Sequence, residues 1–325
     1  MSYLQAIVIA VLQGVTELFP ISSLGHSVLV PAWIGGSWHT LVTQSSQASS
    51  EKSFYLAYIV ALHCATAFAL LWYFRADWFR IIRGFIQSLG RSMRQRQLII
   101  EGRDERLAWM IVFATIPVGL TGILLEHTFR TVFAKPVAAA AFLFINGLIL
   151  VAGERMRRHQ PASRPADSSA IDHNGRADRD SRSGGRQRSE IQAAREADAR
   201  LANLSLREAL YIGSLQIGAL FAGISRSGIT MVGGLWRGLD HEDAARFGFL
   251  LATPVIFAAG VLKLPSLAGS AGAHIHGQVA VGVIVAGIAA YFSVRFLMRY
   301  FQTRTLTPFA IYCLIFGAAS FFRFV

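Results

Sequence analysis

Glu17 is the only acid among the first fifty residues, which hold no Lys or Arg, and it lies in Leu12-Gln13-Gly14-Val15-Thr16-Glu17-Leu18-Phe19-Pro20. An ionised carboxylate in hydrocarbon costs at least a few kcal/mol, so it persists only beside a partner, a metal or a water-filled pocket. Gln13, four residues earlier, falls on the same helical face and could share a ligand with it, although an amide there can also merely join two helices. Pro20 stops that helix, and Ile21-Ser22-Ser23-Leu24-Gly25-His26 follows. Serines just before a new apolar run are N-cap residues, and they present hydroxyls and free N–H groups at a positive helix end, a geometry that suits an anion. His26, about one turn past Ser23, could bring a base or nucleophile beside a hydroxyl. Taken alone, that spacing is structural more often than catalytic.

A matching stretch lies in the second half: Phe221-Ala222-Gly223-Ile224-Ser225-Arg226-Ser227-Gly228-Ile229-Thr230. Arg226 is the only charge between Glu208 and Arg237. A guanidinium among three hydroxyl residues and two glycines describes a phosphate clamp built from bidentate bonds and helix-terminal N–H groups. The competing reading is a buried ion pair in which Arg226 does no more than neutralise Glu17. That accounts for the charges but not for the Ser, Gly and Thr around them.

The elements that must carry these residues are apolar. The chain has 325 residues, 53% hydrophobic and 15% charged, too few charges to cover a soluble fold of this size. Runs at 54–74, 107–126, 137–153, 244–262, 278–298 and 306–323 are expected to span a bilayer. Segments 4–35 and 208–236 are interrupted by Pro or Gly and read as broken, re-entrant helical hairpins. At an offset of 203, Leu12, Gln13, Ile21, Ser22 and Gly25 fall on Leu215, Gln216, Ile224, Ser225 and Gly228. The expected fold is therefore an all-α polytopic membrane protein: an inverted repeat of 1–153 and 208–325, each one broken segment plus three spans, about six transmembrane helices in all.

The net charge of +12 is concentrated: 12 of the 31 basic residues lie in 154–207 and 8 in 75–106. Arg-rich loops beside apolar segments belong on the cytoplasmic side, which puts both termini outside. Without aromatic residues between the arginines of 154–207, nucleic acid is excluded as a partner. The 154–207 segment, rich in Arg, Asp, Ser and Gly, reads as a disordered cytoplasmic linker with a short amphipathic helix near 190–202. Met1-Ser2-Tyr3 lacks the basic start of a secretory signal, so the N-terminal segment is expected in the mature protein. Cys64 and Cys313 sit in apolar runs and read as core thiols; His63, in Ala61-Leu62-His63-Cys64, reads as an interhelical hydrogen bonder outside the site.

Together, Gln13 through His26 and Gly223 through Thr230 closely resemble the two motifs of the undecaprenyl-pyrophosphate phosphatase family, also called bacitracin-resistance proteins. Arg106–Gly122 and Arg246–Pro254 look like further family segments, so the resemblance covers nearly the whole chain. It implies a multi-pass hydrolase of the bacterial inner membrane that removes the terminal phosphate of undecaprenyl pyrophosphate with a divalent cation, Mg²⁺ or Ca²⁺. That reaction recycles the lipid carrier of peptidoglycan synthesis, and the site would open to the outer face. The resemblance makes Glu17, Ser23, His26 and Arg226 catalytic, with Gln13, Ser22, Ser225, Ser227 and Thr230 on the substrate and Glu17, with Gln13, on the metal. Implied partners are the polyprenyl pyrophosphate, membrane lipid and, as a candidate, a second copy of the chain. Leu24, Ala222 and the long 155–204 insert depart from the family pattern without touching the Glu, His or Arg. A secondary transporter or flippase of a polyprenyl phosphate carrier is the alternative, since broken helices in inverted repeats are a transporter design.

Overall fold

The computed structural model describes residues 1–38, 40–41, 54–133, 135–158, 200–201, 203–268 and 276–325, and among these residues no strand occurs. The broken segment at the start forms α1 (Tyr3–Thr16) and α2 (Ser23–Ile34). α3 (Phe54–Tyr73) and α4 (Arg75–Gln95) follow, then the long α5 (Arg103–Phe133) and α6 (Pro136–Arg158). The second half repeats the order: α7 (Leu206–Leu215), a 3₁₀ turn (Gln216–Leu220), α8 (Arg226–Trp236), α9 (His241–Ala268), α10 (His276–Tyr300) and α11 (Thr307–Phe324). Among the described residues, α5, α6, α9, α10 and α11 are each long and apolar enough to cross a bilayer, and the bent pair α3–α4 supplies a sixth candidate.

α1 and α2 are 14 and 12 residues long, about 21 and 18 Å at helical rise, and neither can cross a core of about 30 Å. They pack on each other as a hairpin, and α7 and α8 do the same. α1 lies along α10 and α7 along α5, while α6 and α11 form the most extensive helix pair. The α1–α10 approach is close because position 14 has no side chain: a Cβ on Gly14 would stand 2.5 Å from the Ala286 carbonyl oxygen.

The helix ends sort into two groups. At one end Gln278 Nε2 donates to the Met1 carbonyl (3.3 Å) and Trp33 Nε1 to Ser320 Oγ (2.9 Å). The opposite end is tied by charge. His241 Nε2 and the Leu306 N–H both bind Glu154 Oε1 at 2.6 Å, Arg246 pairs with Asp77 at 3.0 Å, and Arg200 with Asp243 at 2.5 Å.

Two parts of the expected organisation change. Residues 75–95, expected within a polar loop, form α4, a helix bent by 85° from α3. Its charges hide an amphipathic period: Asp77, Ile81, Gly84 and Ser88 face the protein, while Phe79, Ile82, Ile86, Leu89 and Met93 make an exposed apolar stripe. The 154–207 segment is also shorter than expected as a linker. Glu154–Arg158 complete α6, Leu201 and Leu204 are buried, and Arg200 is clipped to α9, because these side chains find apolar or charged partners. Residues 159–199, with most of the expected 190–202 helix, lie outside the described residues.

Candidate active site

The breaks of the two short hairpins meet. Ser22 N-caps α2, its Oγ accepting from the Gly25 N–H, and Ser225 N-caps α8, its Oγ accepting from the Gly228 N–H at 3.1 Å. Ser22 Oγ also accepts from the Gly223 N–H of the other hairpin at 3.2 Å. Gly223 is irreplaceable there: its φ is +116°, and a Cβ would fall 2.5 Å from the Ala139 carbonyl oxygen of α6. Ser22 itself has φ +69°, a strained conformation costing about 1–3 kcal/mol. Its carbonyl is held by the His26 N–H (3.2 Å) and His26 Nδ1–H (2.7 Å). Asn146 of α6 ties both breaks, with Nδ2 donating to the Pro20 carbonyl (3.0 Å) and Oδ1 accepting from the Ser225 N–H (2.9 Å). Two helix N-termini, each a positive dipole end, are thus locked side by side.

Glu17 is the hub. Its Oε1 accepts from Arg226 Nη2 at 2.5 Å. Its Oε2 accepts from Ser23 Oγ at 2.5 Å and Gln13 Nε2 at 2.9 Å, and His63 Nε2 lies 3.3 Å away. Arg226 Nη1 also donates to the Ala252 carbonyl at 3.1 Å, aiming the guanidinium from α9. The buried pair is therefore present, and breaking such a pair from one side costs about 3–5 kcal/mol. Gln13 Oε1 is buried with no hydrogen-bond partner. Ser23 is half-buried and Leu24 exposed, so the hub opens on the Ser23 side.

The other expected site residues are placed differently. His26 does not bond Ser23: its Nδ1–H is spent on the Ser22 carbonyl, which leaves Nε2 as an acceptor for the Tyr312 hydroxyl at 2.7 Å. The ring also packs against both Tyr312 and Phe316, which contact each other. Ser227 Oγ donates to the Phe19 carbonyl (3.1 Å), and Thr230 Oγ1 turns back onto its own helix at the Arg226 and Ser227 carbonyls. Ser22, Ser225 and Ser227 thus spend their hydroxyls on holding the two breaks together, and Thr230 braces the first turn of α8.

Sequence reasoning missed three residues. His63, expected as an interhelical hydrogen bonder outside the site, does reach across helices, but to Glu17, because α3 packs beside the break. Asn146 is the only amide in the apolar run 137–153, a signal that could have flagged it. Tyr312 carries no sequence signal, being one of several aromatics along α11.

The chain matches the family described as bacitracin resistance protein BacA over residues 6–319. It is 56% identical to the undecaprenyl-diphosphatase 2 of Frankia alni, over 100% of this chain and 98% of that protein. Identity is 55% to the undecaprenyl-diphosphatase of Mycolicibacterium paratuberculosis (98% and 96% covered) and 40% to undecaprenyl-diphosphatase 2 of Burkholderia thailandensis (95% and 92%).

Proposed function

The chain belongs to the bacitracin resistance protein BacA family, and from that premise we propose that it is an integral membrane undecaprenyl-diphosphatase, releasing inorganic phosphate and leaving the prenyl monophosphate. The observation that carries the reading is the convergence on Glu17 of one hydroxyl and one guanidinium from two different broken helices. The diphosphate head sits at the paired N-termini of α2 and α8, where unpaired first-turn N–H groups and Arg226 meet its charge. Ser23 Oγ, already bonded to Glu17, attacks the terminal phosphorus as Glu17 takes its proton. The new Ser–O–P bond replaces the bridging P–O bond, and the prenyl monophosphate departs. Water then attacks the phosphoserine, its proton passing to the site, and frees inorganic phosphate and Ser23. His26 and Tyr312 stand behind Ser22 and hold its strained turn in place.

The residues also fit a divalent cation. The described residues hold no cluster of three or more His, Cys, Asp or Glu side chains, but Mg²⁺ is commonly held by one or two carboxylates plus substrate phosphates. Glu17 and the orphaned Gln13 Oε1 would hold it, and when bound it neutralises charge on the diphosphate.

For orientation, the arginine-rich end carrying α4 belongs in the cytoplasm by the positive-inside rule. The α1–α2 hairpin then enters and leaves from the outer face of the inner membrane, from which substrate reaches Ser23. An inverted relation of the halves is supported by the equivalent roles of Ser22 and Ser225 as caps and by the pairing of α1 with α10 and of α7 with α5. A homodimer is tested by native mass spectrometry in detergent, where a monomer alone rejects it.

The test is phosphate release from undecaprenyl diphosphate by purified protein with Mg²⁺ or Ca²⁺. Glu17→Ala, Ser23→Ala and Arg226→Ala should each lower the rate at least about 100-fold while keeping the wild-type elution profile. Acid quenching should trap a phosphoenzyme in wild type but not in Ser23→Ala. Undiminished release in Glu17→Ala and Arg226→Ala would overturn the site. No release by wild type with either cation would favour the transporter, which needs no carboxylate poised on a hydroxyl.

A further inference from the structure

At the arginine-rich end, the last turns of α10 and the turn after it form a cavity of about 430 Å³ lined by Phe292, Arg295, Phe296, Arg299, Tyr300, Thr303 and Arg304. Its chemistry is one-sided. Arg295, Arg299 and Arg304 are exposed, and among the described residues none pairs with an acid, whereas Arg80, Arg91, Arg200 and Arg246 at the same end all do. Arg295 and Arg299 share a face at i, i+4, and the N–H of Arg304 bonds the Tyr300 carbonyl at 3.0 Å in the turn that closes the helix, so that Arg304 lines the same cavity. Flanking Arg295 along α10, Phe292 and Phe296 are 60% and 52% exposed, although both are large apolar rings. Tyr291, beside Phe292, contacts Tyr73 at the end of α3. Three cations without an acidic partner among the described residues, set among half-exposed aromatic rings on one helix face, match a lipid with an anionic head and apolar chains.

We infer that this cavity is a binding site for an anionic phospholipid of the leaflet on the arginine-rich side, its phosphate on Arg295, Arg299 and Arg304 and its acyl chains along Phe292 and Phe296. None of the cavity's lining residues bonds Glu17, although Phe296 stacks on Phe19 at the α1–α2 break, and lipid binding here does not depend on the hydrolase reading. Each exposed guanidinium near a membrane surface contributes about fivefold to the affinity for an anionic head group, so the three together contribute on the order of 100-fold.

The test uses the full-length protein in neutral detergent and native mass spectrometry. Phosphatidylglycerol is titrated against wild type, Arg295→Gln/Arg299→Gln/Arg304→Gln, Phe292→Ala/Phe296→Ala, and the charge control Arg83→Gln/Arg94→Gln on α4. The expected result is retention of one phosphatidylglycerol by wild type and by the control, loss of the order of 100-fold in the triple variant, a smaller loss in the Phe variant, and no retention of phosphatidylcholine. Equal loss in the control would overturn the site, because the attraction would then be that of the whole basic face. Displacement of the lipid by millimolar inorganic phosphate would also overturn it, reducing the cavity to a phosphate site. Preference for a prenyl monophosphate over phosphatidylglycerol would reject the phospholipid and make this a second site for the reaction's product. A triple variant that elutes as aggregate is replaced by single Arg→Gln variants, each expected to lose about fivefold.

Discussion

At the scale of residues, the site is one carboxylate sharing four neighbours. Oε1 of Glu17 belongs to Arg226, and Oε2 is divided among Ser23, Gln13 and His63. Gln13 gives Glu17 its N–H, and its own oxygen is buried without a hydrogen-bond partner. Gln13→Glu would turn that neutral oxygen into a second carboxylate. The expected outcome is a several-fold fall in the Mg²⁺ concentration giving half-maximal phosphate release, measured by cation titration at saturating substrate. An unchanged or weakened cation requirement would show that Gln13 Oε1 is not a ligand. His63 completes the hub from α3. Replacing it with Ala removes a donor from a buried carboxylate, and the rate should fall about 10-fold or more while His63→Gln recovers part of it.

At the scale of elements, two broken helices stay broken because the gaps are filled by specific bonds. Asn146 ties the Pro20 carbonyl of one break to the Ser225 N–H of the other, and Asn146→Ala leaves both without their partner. A loss of about 1–3 kcal/mol is expected from the orphaned Ser225 N–H, the Pro20 carbonyl keeping only the weak Cys313 thiol at 3.9 Å, read as a lower Tm in detergent, with activity falling as the breaks drift apart. Gly223→Ala should do at least as much harm, since both its φ and the space beside it exclude a methyl. α4 is a different kind of element. With one face on the protein and one apolar face bare, at 85° to α3, it lies along the membrane surface rather than through it. Spin labels at Phe79, Ile86 and Met93 should therefore collide with dissolved oxygen, and labels at Arg83 and Arg94 with an aqueous nickel chelate. The reverse pattern would remove α4 from the interface.

At the scale of the whole molecule, the arginine-rich end holds separate helices in register through charge. Arg200 on Asp243 and Arg246 on Asp77 join the second half to the end of the insert and to α4 of the first half, and Leu201, next to Arg200, is fully buried. The functional boundary of the long insert therefore falls before Arg200. Replacing 160–198 with a Gly/Ser segment of equal length should leave phosphate release within about twofold. Leu201→Ala should cost about 2–5 kcal/mol, visible as a lower Tm. A large loss of turnover in the replacement would give the insert a part in the site.

Composition and the period of apolar runs were enough to place six candidate spans within a few residues of their helices, because a bilayer demands length and hydrophobicity and little else. Isolated polar groups in apolar surroundings likewise identified Glu17, Arg226 and the capping serines, since each is expensive unless used. α4 escaped because its six arginines, counting Arg96 at its C-cap, outweigh its apolar stripe in any running average, and only its orientation separates the faces. The partners could not be read at all. That His63 would serve Glu17, that His26 would turn from Ser23 to Tyr312, and that the hydroxyls of Ser22, Ser225 and Ser227 would brace the breaks follow from contacts between residues up to 286 positions apart. Sequence alone determined which groups had to be satisfied within the membrane; only the packing of the two hairpins against α3, α6 and α11 decided which group satisfies which, because hydrogen bonds are set by position to within tenths of an ångström and spacing along a chain fixes position only within one helix.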